Sequence, residues 1–192
     1  MKPKDENKTA LIYKATLAIV ARNGISGISM ATIAKEAGLG TGTLYTYFCS
    51  KEELLHALFR ETKKCTGVKL CCQAAEKEPV KLVFREIWSN YLRYRIDNYE
   101  EGVFQYQYMR SPYMNESAEN LMLTQQMLQP LFDVIDKGKR ETLIKNIDNK
   151  VLYAQIIGFA SELVENLHVG KLTDTPTLME NAFSICWDAI KA

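Results

Sequence analysis

The 192-residue sequence predicts an all-α protein. Three observations support this: apolar residues recur at three- and four-residue spacing along most of the chain, alternating β-branched runs are lacking, and glycine and proline fall mainly between the periodic segments. The composition, 47% apolar and 24% charged, is that of a soluble globular protein with a sizeable core.

The first helix is expected from about Thr9 to Arg22, with Ile12, Thr16, Ile19 and Val20 on one face and Gly24 as its stop. After the connector "ISGIS", Ser29 is placed to cap a second helix, with Ile28 and Ile33 as its hydrophobic staple and Gly38 at its end. A short third helix follows around Thr41–Phe48. Ser50 and Glu53 have the spacing of a capping box for a fourth, with Cys49 and Leu54 at the staple positions, running towards Lys64 and beyond Cys72. Pro79 suits the first turn of the next helix, which carries Val83, Phe84, Ile87, Trp88, Tyr91 and Leu92. "MRSPYMN" breaks the pattern at Pro112. A helix from about Ser117 to Lys137 is expected to bend at Pro130 and stop at Gly138. The last two run from about Asn149 to His168, ended by Gly170, and from Pro176 to Ile190, capped by Thr175.

No apolar run approaches the roughly 18 residues of a membrane helix, and "MKPKDENK" precedes no signal-like apolar segment. A cytoplasmic protein with no membrane partner is expected. The five cysteines (49, 65, 71, 72 and 186) form no CxxC pair and only two histidines, His56 and His168, are present. Reduced thiols, with redox sensing as the alternative, and no metal site are therefore expected. Neither histidine lies in a metalloprotease spacing, and no serine elbow or phosphate loop occurs, so no catalytic residue and no cofactor is assigned.

Residues 1–64 carry ten Lys and Arg against six Asp and Glu, and the remainder is acidic. A basic first third suits a polyanionic partner, although it equally suits a solvated face. Two short helices joined by a Gly-centred turn form a helix-turn-helix. Burying Ile33, Ala34, Ala37, Leu44 and Phe48 leaves Thr41, Gly42, Thr43, Tyr45, Thr46 and Tyr47 outward or along the edges. Tyrosine hydroxyls can donate to phosphates, Gly42 permits close approach to a groove, and the third helix presents unpaired N–H groups. A helical hairpin with an ordinary polar surface is the other reading.

"SMATIAKEAGLGTGTLYTYFCSKEEL" resembles the DNA-binding domain of TetR-family transcriptional regulators. The likeness rests on Ile33-Ala34, Ala37-Gly38, Gly42-Thr43, Tyr45, Tyr47-Phe48, Lys51 and Leu54, within about residues 9–60. It implies a three-helix DNA-binding domain at 1–64 and a larger helical effector-binding and dimerisation domain at 65–192. Gly40 and Thr41 depart from the Ser and Lys common in the family, removing one hydroxyl and one charge. The resemblance places the third helix in the major groove of a palindromic double-stranded operator. Thr41 and Thr43 would meet base edges, and Tyr45, Tyr47, Lys51 and Thr32 would hold phosphates, with Thr46 beside them. Residues 39–48 contain no Arg, Asn or Gln, so modest discrimination per half-site is expected, with DNA shape contributing. Lys2, Lys4 and Lys8 read as a disordered tail or as a basic arm.

A homodimer is expected through the last two helices, with Ala154, Gly158, Ser161, Phe183 and Trp187 at the interface; the same stripes could close one chain's own core. Trp88, Tyr91, Phe104, Tyr108, Met122 and Phe132 are the expected lining of a pocket for a small apolar or aromatic effector that releases a repressor from DNA. Core packing is the alternative for each of them. Regulation without a small molecule, and ligand-dependent activation, are the other functional readings. A filled core between the helix that begins at Pro79 and the penultimate helix would favour the former.

Overall fold

The computed structural model describes residues 6–70, 78–114 and 117–192. Among these are the helices α1 (Glu6–Asn23), α2 (Met30–Glu36), α3 (Thr41–Tyr47), α4 (Lys51–Leu70), α5 (Val80–Asp97), α6 (Tyr99–Tyr108), α7 (Ala118–Arg140), α8 (Asn149–His168) and α9 (Pro176–Ile190). A single antiparallel bridge, Ile144 to Lys191, is the only β pairing among the described residues. The fold is all-α. No described helix is long and apolar enough to cross a membrane.

Local signals placed most of the ends. The Ser29 hydroxyl accepts from the Thr32 N–H at 3.1 Å, and the Ser50 hydroxyl accepts from the Glu53 N–H at 3.1 Å. Glu53 accepts from the N–H of Cys49, one residue before the cap, at 2.6 Å, and Cys49 is exposed, so the expected staple with Leu54 is not made. Gly38 adopts φ 67, the left-handed conformation that a residue without Cβ takes at least cost. α1 begins at Glu6, which puts Lys8 inside a helix rather than in a tail. Lys2, Lys4, Cys71 and Cys72 lie outside the described residues.

Gly138 departs from expectation. It does not end α7, which runs through Pro130 to Arg140; the left-handed residue is Thr142, at φ 56. Gly138 is instead a place of close approach. A Cβ there would stand 2.5 Å from Ile144 Cδ1 and 3.0 Å from Val80 Cγ1. The Gly138 carbonyl accepts from both Leu143 N, at 2.8 Å, and Ile144 N, at 3.1 Å, folding the chain back over the missing side chain.

The chain forms two compact units. The first comprises residues up to Lys63 together with Glu100–Leu121, and its core joins Ile12, Ile33, Leu44, Phe48, Leu55 and Phe59 to Phe104 and Tyr108. Residues 100–121, which the expected division at 64/65 assigned to the C-terminal part, pack in this first unit. The reason lies in α6, where Phe104 and Tyr108 fall four residues apart on one face. Tyr108 stacks on Phe59 with ring centroids 4.4 Å apart, and Gln107 accepts from the Ile25 N–H at 2.8 Å. Each large side chain so buried contributes about 1.5–3 kcal/mol.

The second unit, Lys64–Tyr99 with Met122–Ala192, packs α5, α7, α8 and α9 around Phe84, Trp88, Tyr91, Ile135, Ile156, Ala160, Phe183 and Trp187. Trp88 stacks on Phe159 at 6.5 Å, and Phe84 lies 5.8 Å from Trp187. Burial pushes the Cys186 thiol up to about 12. The Tyr153 phenol is also raised to about 12, by burial and by neighbouring Tyr91 against the opposing charge of Arg95.

Candidate nucleic-acid interface

α3 is seven residues long and buries only Leu44 completely. Its first backbone bond runs from Leu44 N to the Gly40 carbonyl at 3.1 Å, and Gly40 brings no side-chain cap to the first turn. The N–H groups ahead of Leu44 therefore leave a partial positive charge at this end. Thr41, Gly42, Tyr45 and Thr46 are exposed, Tyr45 to 50%. Thr43 and Tyr47 are half-buried, Tyr47 packing against the core.

Gly42 is the informative residue. A Cβ built on it meets nothing within 4 Å. Its helical backbone does not need glycine, and glycine costs a helix about 1 kcal/mol relative to alanine. Neither the turn nor the core requires it. Space left open on a surface helix suits a second molecule that comes very close.

The hydroxyl groups sort into committed and available donors. The Thr46 hydroxyl donates to the Thr43 carbonyl at 2.6 Å. The Thr32 hydroxyl donates to the Ser29 carbonyl and accepts from the Ser29 N–H, each at 2.9 Å, so it serves as the reciprocal half of the α2 cap. Phosphate oxygens need donors, and these two protons are already used. Thr41 and Tyr45 present the exposed hydroxyls that remain. Lys51, at the first position of α4, donates from Nζ to the Tyr113 hydroxyl at 2.6 Å and stands 4.6 Å from the centre of that ring. Tyr113 was legible only as one more aromatic residue; nothing local in the sequence links it to Lys51, 62 positions away.

The other expected sites are dispersed. Trp88 and Tyr91 are buried in the second unit's core, with Phe132 packed partly against it, whereas Phe104 and Tyr108 belong to the first unit's core. Met122 is exposed and lines a cleft of about 360 Å³ along α7 with Gln125, Gln126 and Gln129. The six divide between the two units. Of the expected interface residues, Ala154 and Gly158 are exposed on α8, while Ser161 lies against the Tyr91 hydroxyl. Phe183 and Trp187 fill the core of their own unit, Trp187 against Phe84 and Phe183 against Trp88 of α5. The exposed face of α9 carries Asn181, Ser184, Ile185 and Asp188 instead.

Comparison with known proteins accords with this geometry. The family model described as "Bacterial regulatory proteins, tetR family" matches residues 12–58, and "Tetracyclin repressor-like, C-terminal domain" matches residues 79–191. The chain belongs to the TetR family. It is a transcriptional regulator with a DNA-binding helix-turn-helix, formed by α2 and α3. Among TetR-family relatives, an "Uncharacterized HTH-type transcriptional regulator" from Haemophilus influenzae is 24% identical over 180 residues, 94% of each chain. The crystal structure of a TetR family transcription regulator from Marinobacter aquaeolei is 27% identical, has a TM-score of 0.87 and covers 100% of this chain and 99% of that one. The "HTH-type transcriptional repressor KstR" of Mycolicibacterium smegmatis is 44% identical over 54 residues, 28% of this chain and 26% of that protein.

Proposed function

We propose that this TetR-family regulator is a homodimeric repressor that docks α3 in the major groove of a palindromic operator and leaves it on binding a small apolar or aromatic molecule. The observation that carries the DNA contact is the exposed face of α3, where Gly42 leaves unclaimed space beside the uncapped first turn and the free hydroxyls of Thr41 and Tyr45. In that pose the Thr41 methyl suits thymine and its hydroxyl suits a base edge. Tyr45, Tyr47 and Lys51 carry phosphate contacts, Tyr47 from the rim of the core. Repression is supported by the mycobacterial relative, a transcriptional repressor. Two copies are needed because one seven-residue helix reads few base pairs. The exposed small residues Ala154 and Gly158 on α8, with Ile185 on α9, supply a face for the second copy.

The packed aromatic core of the second unit favours, as a second reading, the same DNA-binding protein without a small-molecule effector. One experiment separates them. Selection of random duplex DNA by the purified protein recovers a two-fold symmetric sequence under both readings. Repeating the binding with pools of apolar and aromatic compounds releases that duplex only under the first. Recovery of no preferred duplex at low ionic strength refutes both.

A further inference from the structure

Tyr113, between α6 and α7, is seated on the start of α4. Its hydroxyl accepts from Lys51 Nζ at 2.6 Å, and its carbonyl oxygen lies 2.9 Å from His56 Nε2. The turn beneath it is internally tied: the Ser111 hydroxyl donates to the Tyr108 carbonyl at 2.8 Å and accepts from the Tyr113 N–H at 3.2 Å. Tyr113 and Met114 also pack against the first unit's core. A phenol held this firmly gives the flexible lysine one preferred position.

A lysine at the first position of a helix faces the positive end of the helix dipole, where its charge is poorly placed. The Tyr113 oxygen and the electron-rich face of its ring offset that cost. An ammonium carries three donors, so one bond to Tyr113 leaves two for a phosphate.

We propose that Tyr113 is a positioning residue for DNA binding, which holds the Lys51 ammonium ready for a phosphate before DNA arrives. The inference rests on the reading of Lys51 as a phosphate contact. It extends the DNA-binding apparatus to a residue far outside the helix-turn-helix.

The test measures binding of a fluorescein-labelled duplex, recovered by selection with the wild-type protein, across a series of salt concentrations. The variants are Tyr113→Phe, Lys51→Met and the double variant, each melted in parallel to verify folding. Tyr113→Phe keeps the ring in place and removes the acceptor. It should weaken binding about 2- to 10-fold, the cost of ordering one long side chain on binding, with the salt slope unchanged. Lys51→Met should weaken binding and lower the slope by roughly 1. In the Lys51→Met background, Tyr113→Phe should cost nothing further. A Tyr113→Phe variant that binds at wild-type strength or tighter overturns the proposal, as does an equal loss with and without Lys51. A Lys51→Met variant with unchanged affinity and slope refutes instead the phosphate role on which it rests.

Discussion

Gly42→Ala separates stability from DNA binding in one substitution. The added methyl projects into space with no protein atom within 4 Å, so no contact is strained. The backbone at this position is helical, and alanine is the better helix former by up to about 1 kcal/mol in an interior turn. Near the start of a helix the gain is smaller, and for a chain of this size it raises the melting temperature by up to about 4 °C. Binding should move the other way. A methyl forced into a close interface costs about 1–3 kcal/mol, which corresponds to about 5- to 150-fold in affinity. Thermal melting followed by circular dichroism reads the first effect, and fluorescence anisotropy on the selected duplex reads the second. A variant that melts higher and binds DNA as tightly as the wild type would refute the view that Gly42 is kept open for the groove. One that melts lower would refute the local structural argument.

Gly138→Ala should have the opposite effect on stability, because its methyl would collide with the buried Ile144 and Val80 side chains. A net loss of about 1–2 kcal/mol is expected, a fall of about 2–8 °C in melting temperature, partly relieved when Ile144→Val removes the atom met first. Thr32→Val should cost about 1 kcal/mol in urea denaturation by opening the α2 cap, whereas Thr32→Ser should retain both stability and DNA affinity. The neutral forms of Cys186, Tyr99 and Tyr153 are favoured in the folded chain, each group being raised to about 12, Tyr99 by burial and its bond to Glu165. Their contribution is therefore complete below the ordinary values of 9 for a thiol and 10 for a phenol, and is lost as pH climbs towards 12. Urea midpoints measured between pH 8 and 12 should fall through that window, and a flat profile would contradict the assignment. Gly158→Trp should shift sedimentation towards the monomer if the exposed α8 face meets a second copy; an unaltered dimer would move the interface elsewhere.

Much of the helix-turn-helix was legible because its signals are local. Ser29, Gly38 and Ser50 act within one turn of their own positions, and the Ile12, Ile33 and Leu44 faces follow from helical period alone. Other assignments failed where the deciding partner is distant in sequence. Gly138 has the look of a stop, but Ile144 and Val80 determine its role. Phe183 and Trp187 have the look of an interface, but α5 covers them. Phe104 and Tyr108 share aromatic character with Trp88 and Tyr91, and periodicity cannot say which core a ring will join.

The sequence by itself determined the all-α class, most helix boundaries and the family to which the chain belongs, since caps, periods and motif spacings are properties of neighbouring residues. Only the tertiary structure decided that Glu100–Leu121 packs with the N-terminal helices, that the Thr32 and Thr46 protons are already committed, and that Lys51 rests on Tyr113. Hydrogen bonds and core packing depend on which groups come within a few ångströms after folding. Residues tens of positions apart carry no record of that distance in their order along the chain.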